Sequence, residues 1–174
     1  MSWKNGKGVT EGVATFPEGS GIDSFDWRLS IAHVEADGPF SLFEGIDRSI
    51  ALLAGAGLSL DLPDGNTVDL EPDTAPFSFP GEWAIDGRNR DGPTIDLNIM
   101  TRRGRCTHRM ERVLASGRFK ASALCFLVFN RPATITLDGQ EIAVDPFDTV
   151  CLEREEEMTA PADTPMLAIS ISPA

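Results

Sequence analysis

Nowhere in this chain do apolar residues keep the three-and-four spacing of an amphipathic helix for more than about three turns, so helices cannot supply its core. Short alternating runs recur instead, among them "WRLSIAHV", "RSIALLA", "LSLDL", "NTVDLE", "TIDLNIMTRR", "SALCFLVFN", "ATITLDG", "DTVCLE" and "MLAISIS". Gly, Pro, Asn or Asp separates them, with 16 glycines and 12 prolines spread over the 174 residues. Many short strands broken by turn residues predict an all-β sandwich or barrel.

Two stretches carry the same hairpin grammar. "LDLPDGNTVDL" places Asp64-Gly65 between alternating runs, and "ITLDGQEIAV" does the same with Asp138-Gly139. Asp-Gly suits the positive backbone angles of a tight hairpin turn. An apolar run precedes each, and a Pro-Phe strand follows each ("APFSFPGE", "DPFDTVCLE"). The chain thus reads as one supersecondary unit stated twice, about 75 residues apart.

The bulk charge narrows the partners. A net charge of −12 repels nucleic acid and anionic lipid, and no apolar run approaches the ~20 residues needed to cross a bilayer as a helix. The opening "MSWKNGKGVTEG" lacks the apolar centre of a secretory signal. Cys106, Cys125 and Cys151 have no metal-type spacing and read as reduced thiols, which predicts a cytoplasmic protein. A small anionic ligand remains compatible, because a pocket responds to its local charges.

Strand parity locates a candidate pocket. On "WRLSIAHV", Arg28, Ser30 and Ala32 share one face, with Trp27, Leu29, Ile31 and His33 opposite. On "TIDLNIMTRR", Asp96, Asn98, Met100 and Arg102 share a face backed by Ile95, Leu97 and Ile99. Arg48 falls inside a third such run, beside Asp47. A polar row of this kind is either a solvated sheet face or the lining of a cavity where guanidinium forks await a carboxylate. Asp47 and Asp96 are the candidates to hold unliganded arginines in place. Phe40 and Ser41 lie in the intervening "DGPFS" turn, and Trp3, Lys4 and Asn5 in "SWKNG" could fold over such a pocket.

Metal and nucleophile signatures are missing. His33 and His108 are the only histidines and lack His-x-His spacing, so no metal or other cofactor is expected. No cysteine has a nearby histidine, and "GPFS" is not a nucleophile elbow.

"WKNG", "FDWRLSIAHVEADGPFSLFEGIDRSIALLAGAGLSL", "FPGEW" and "GPTIDLNIMTRRG" together resemble the HutD/Ves family, over nearly the whole chain and most densely from Trp27 to Leu60. The resemblance implies a bicupin, two cupin-like jelly-roll β-barrels in a single domain over 1–174, with halves of roughly 1–90 and 91–174. It also implies a homodimer. The expected role is to bind a small carboxylate such as N-formylglutamate or urocanate and so modulate histidine utilisation, without catalysis. The alternatives are a metal-free isomerase or lyase using Asp96 or Asp47 as base, and an interaction protein acting on a pathway enzyme or regulator. One departure stands out: where the family carries an Arg-Glu pair, this chain reads Glu11-Gly12.

Overall fold

The computed structural model describes residues 8–174, and every regular element within them is a strand. The chain divides into two compact units, one extending to Thr107 and including Ala174, the other His108–Pro173. Trp3, Lys4 and Asn5 lie outside the described residues.

The first unit contains β1 (Gly8–Phe16), β2 (Trp27–Val34), β3 (Gly38–Pro39), β4 (Ile46–Ala54), β5 (Leu58–Asp61), β6 (Thr67–Leu70), β7 (Phe77–Pro80), β8 (Asp86–Asn89) and β9 (Thr94–Arg102). They form two sheets, β1-β2-β9-β4-β7 and β3-β8-β5-β6, with antiparallel pairing. β9 was expected in the second half; it is instead the middle strand of the first unit's larger sheet, flanked by β2 and β4. Ile50, Leu52 and Phe79 from that sheet pack in one cluster with Leu58, Leu60 and Leu70 from the other, together with Ile85.

The second unit's strands are β10 (Cys106–Leu114), which straddles the boundary, β11 (Arg118–Lys120), β12 (Leu124–Phe129), β13 (Ala133–Leu137), β14 (Gln140–Val144), β15 (Thr149–Leu152), β16 (Glu157–Thr159) and β17 (Pro165–Pro173). The sheets run β10-β17-β12-β15 and β11-β16-β13-β14. These are the orders β2-β9-β4-β7 and β3-β8-β5-β6 with eight added to every number. The repeat glimpsed in the two hairpins therefore extends to the whole eight-strand pattern, with β1 as the one extra strand.

The two Asp-Gly turns differ. Asp138 and Gly139 both have positive φ, 51° and 76°, and join Leu137 directly to Gln140, the two-residue hairpin expected. Asp64-Gly65 sits in a longer loop between Asp61 and Thr67, closed by the Leu62 amide donating to the Asn66 carbonyl and stabilised by the Asp64 carboxylate accepting from the Asn66 amide. Strands β1 and β8 have no clear apolar alternation; β1 is an edge strand with mostly exposed or half-buried side chains. β8 is only "DGRN", and a side chain at Gly87 would come within 2.8 Å of the Phe40 ring. Backbone pairing and a close approach, rather than hydrophobic pattern, make these strands.

Candidate functional site

Pairing register assembles one polar face in the first unit. Across β2, β9 and β4, Arg28 pairs with Met100 and Met100 with Arg48; Ser30 pairs with Asn98 and Asn98 with Ile50; Ala32 pairs with Asp96 and Asp96 with Leu52. Side chains in register on neighbouring strands share a face. Arg28, Ser30, Arg48, Asp96, Asn98 and Met100 thus lie on one surface, together with Phe79, which pairs with Arg48. This face bears Ile50 and Leu52 of the apolar cluster, so it is the inner face of the unit. The parity read from the sequence holds.

Arg48 is its most constrained member. It is 7% exposed, and its guanidinium lies 4.9 Å from the Phe79 ring centroid and 5.4 Å from those of Phe40 and Phe43. Such contacts offset part of the loss of hydration. Among the described residues, Nη1 donates to the Ser41 carbonyl at 3.1 Å, while the buried Nε has no partner. Burial lowers the arginine pKa to about 10, with Asp96 acting in the opposite sense. Phe40 and Ser41 therefore do belong to the site, as a ring and a backbone carbonyl holding Arg48; Ser41 itself is solvent-exposed.

Asp96 is 3% exposed, and burial pushes its carboxyl up to about 7 despite the opposing effect of Arg48. Asn98 is also buried, and among the described residues its Oδ1 lacks a partner. Ser30 is buried and Arg28 half-buried, and loss of hydration lowers the Arg28 pKa. Met100 packs with Phe25, Ile46 and Phe43, giving the face an apolar border.

Two expected members do not join the row. Asp47 follows the alternation to the other side of β4, is exposed, and pairs with Arg103 Nε at 3.0 Å. It cannot hold Arg48. Arg102 is taken up by a loop: Nε donates to the Phe25 carbonyl at 3.0 Å, Nη2 to the Asp23 carbonyl at 3.1 Å, and the guanidinium lies over the Phe25 ring. The departure at Glu11-Gly12 also resolves by parity. Glu11 pairs with Ile31 and lies 3.5 Å from His33 on the far face, whereas Gly12 pairs with Ser30 beside the site, with open space where a side chain would be.

Phe43 and Phe79 were missed by sequence reasoning, since nothing local announces that two phenylalanines 36 positions apart will enclose one arginine. "FEGIDR" and "FPGEW" do carry a signal. Gly81 donates to the Ile46 carbonyl and accepts from the Phe43 amide, and a side chain there would come within 2.5 Å of the Phe43 carbonyl. Glu82 accepts from the Gly45 amide at 2.7 Å and pairs with Arg103. These motifs lock the turn that presents Phe43 to Arg48.

Elsewhere, a shallow concavity of about 580 Å³ lies between His33–Glu35, Ala54–Gly55 and Pro93–Ile95, at the end of the sheet away from Arg48. Among the described residues, no three His, Cys, Asp or Glu side chains converge as a metal site would require. Among the described residues, no helix is long and apolar enough to cross a membrane.

In its fold, this all-β chain of paired sheets is cupin-like. A conserved-barrel cupin from Leptotrichia buccalis superposes over 99% of this chain and 92% of its own, with a TM-score of 0.61 at 11% identity, a likeness of fold alone. The chain belongs to the HutD family, whose model matches residues 1–168. An uncharacterized 21.2 kDa protein from the hutC 3' region of Pseudomonas putida is 34% identical over 161 residues, covering 91% of this chain and 84% of that protein. Protein Ves of Citrobacter koseri is 40% identical over 105 residues, and that match spans 60% of this chain and about half (53%) of Ves. The structure of HutD from Pseudomonas fluorescens SBW25, obtained in a formate condition, has a TM-score of 0.83 at 29% identity, covering 100% of this chain and 93% of that one.

Proposed function

We propose that the first unit binds a small carboxylate at Arg48, and that the protein thereby senses or buffers an intermediate of histidine breakdown, with N-formylglutamate and urocanate as the leading candidates. The observation that carries this reading is a buried guanidinium with one hydrogen bond among the described residues and an unpartnered Nε. Removing such a charge from water costs several kcal/mol, and three aromatic rings offset only part of that. An anionic guest would complete the set. The hut-region relative and the HutD likeness favour a histidine-pathway metabolite. On this reading each unit is a cupin barrel, the chain is a bicupin, and the protein acts as a cytoplasmic homodimer.

A second reading is a metal-free isomerase or lyase. Its support is Asp96, whose pKa of about 7 suits a base working near neutrality. Asp47, exposed and paired with Arg103, is not that base.

Thermal melting with each metabolite tests the binding reading. Ligand at 100-fold above its Kd adds about 2.7 kcal/mol, several degrees for units of this size. Arg48→Met should erase the shift while leaving the unliganded Tm unchanged or higher, because a hydrophobe replacing a buried charge is often neutral or stabilising. The absence of any shift at millimolar concentration sinks the reading. Conversion of either compound, followed by NMR, would establish the second one.

A further inference from the structure

Arg48, Asn98 and Asp96 occupy successive levels of one sheet face. Arg48 pairs with Met100, Asn98 is two residues along the same strand, and Asp96 is two further. Each step on the strand is about 7 Å. Three chemically different groups thus form a graded row: donor, amide, acid.

Their hydrogen bonding is incomplete in a complementary way. Among the described residues, the buried Arg48 Nε is a donor without an acceptor, and the buried Asn98 Oδ1 is an acceptor without a donor. Asp96 and Arg48 are both buried and sense one another, yet no ion pair within 4.0 Å joins them. Buried opposite charges of one unit normally close onto each other, because separation leaves both poorly solvated. Here they stand two levels apart on one inner face, with Asn98 between them.

Other charges do not fill that role. On the facing sheet, Leu58, Leu60 and Gly87 point inward, while Asp61, Asp69, Asp86 and Arg88 take the alternate positions; Arg88 is paired with Asp61. On β1 the inward positions are Gly8, Thr10, Gly12 and, past a bulge, Thr15, none of them charged. β2 contributes Ser30 and the half-buried Arg28, near the arginine end of the row.

We infer that the guest is an acid that also carries a nitrogen-bound hydrogen-bond donor, its carboxylate on Arg48 and its donor on the Asn98–Asp96 edge. This inference rests on the carboxylate reading above and narrows it to one class of molecule. A simple fatty acid would leave the Asn98 acceptor unsatisfied, and a second carboxylate beside Asp96 would be repelled. Of the two leading metabolites, urocanate therefore fits the row directly, and N-formylglutamate fits only with its second carboxylate turned away from Asp96. A buried polar group without a partner discriminates strongly against guests that cannot supply one.

Titration calorimetry with two nearly isosteric acids tests this. 5-Aminopentanoate and hexanoate differ by an ammonium in place of a methyl. The expected result is at least tenfold tighter binding of 5-aminopentanoate, with the preference lost in Asp96→Asn and in Asn98→Leu. Arg48→Gln should weaken whichever acid binds by a further tenfold or more. Melting curves check that each variant is folded, and the two acceptor-side variants back each other. Equal binding of both acids, or tighter binding of hexanoate, overturns the inference while leaving the carboxylate reading standing. A preference that survives both acceptor-side substitutions also overturns it. Binding of neither acid overturns both.

Discussion

The two units spell the same strand order, yet their inner faces have opposite chemistry. In the first, central strand β9 presents Asp96, Asn98 and Met100, and β4 presents Arg48 ahead of Ile50 and Leu52. In the second, β17 presents Met166 and Ala168, and β12 presents Cys125, Leu127 and Phe129, all in one cluster with Ile135, Val144, Leu152 and Met158. One topology therefore supports either a hydrocarbon core or a polar site. The second unit buries side chains that gain from leaving water; the first retains three whose burial costs free energy unless something binds them. The fold sets where the inner face lies, and side chains on two strands decide what it does.

This comparison can be broken most forcefully from the apolar side. Phe129→Ala should cost about 3–5 kcal/mol of stability, read from chemical denaturation, with ligand affinity of the folded protein unchanged. Loss of binding at full stability would mean that the second unit houses the guest.

The next largest effect is pH-dependent. The Asp96 carboxyl is raised from its ordinary 3.8 to about 7, so between those values the folded state holds a proton that the unfolded state has released. Stability from this group is complete below pH 4 and declines as pH rises through 7, by up to about 4 kcal/mol. Asp96→Asn should flatten that slope, with the largest stability gain over the parent near pH 8. Asp61, Glu82 and Glu155 are shifted downward by their arginine, lysine and backbone partners, so their contributions are lost only on acidification. The two windows separate cleanly. An unchanged slope in Asp96→Asn would show that the carboxyl is not buried as described.

The smallest effect sharpens the account of Arg48. Gly87→Ala places a methyl group within 2.8 Å of the Phe40 ring, and a ring at the end of a side chain can move away at modest cost. Expected is a several-fold loss of ligand affinity with little change in Tm; unchanged affinity would show that Phe40 does not help hold the guanidinium.

Much of this contrast was legible before any coordinates. Alternation placed Arg28, Ser30, Asp96, Asn98 and Met100 on shared faces, because side-chain direction in a strand follows from counting by two. The same counting separates Asp47 from Arg48, which sequence adjacency had joined. What could not be counted was pairing between distant strands. The aromatic enclosure needs β4 beside β7, and the capture of Arg102 by the Asp23–Phe25 loop likewise depends on contacts across some eighty positions. Strand β8 was invisible because its four residues earn their place by backbone bonds, which every sequence offers equally.

The order β2-β9-β4 has a consequence for synthesis. The strand bearing the acid and the amide is the last of its unit to be made, and it must insert between two that are already there. On the ribosome Arg48 emerges about fifty residues ahead of Asp96, and the growing chain adds residues one at a time. A nascent protein stopped before Thr94 would hold Arg28 and Arg48 but neither Asp96 nor Asn98. If the carboxylate proposal holds, recognition is the final act of building the amino-terminal unit, and an incomplete product has no means of competing for the guest.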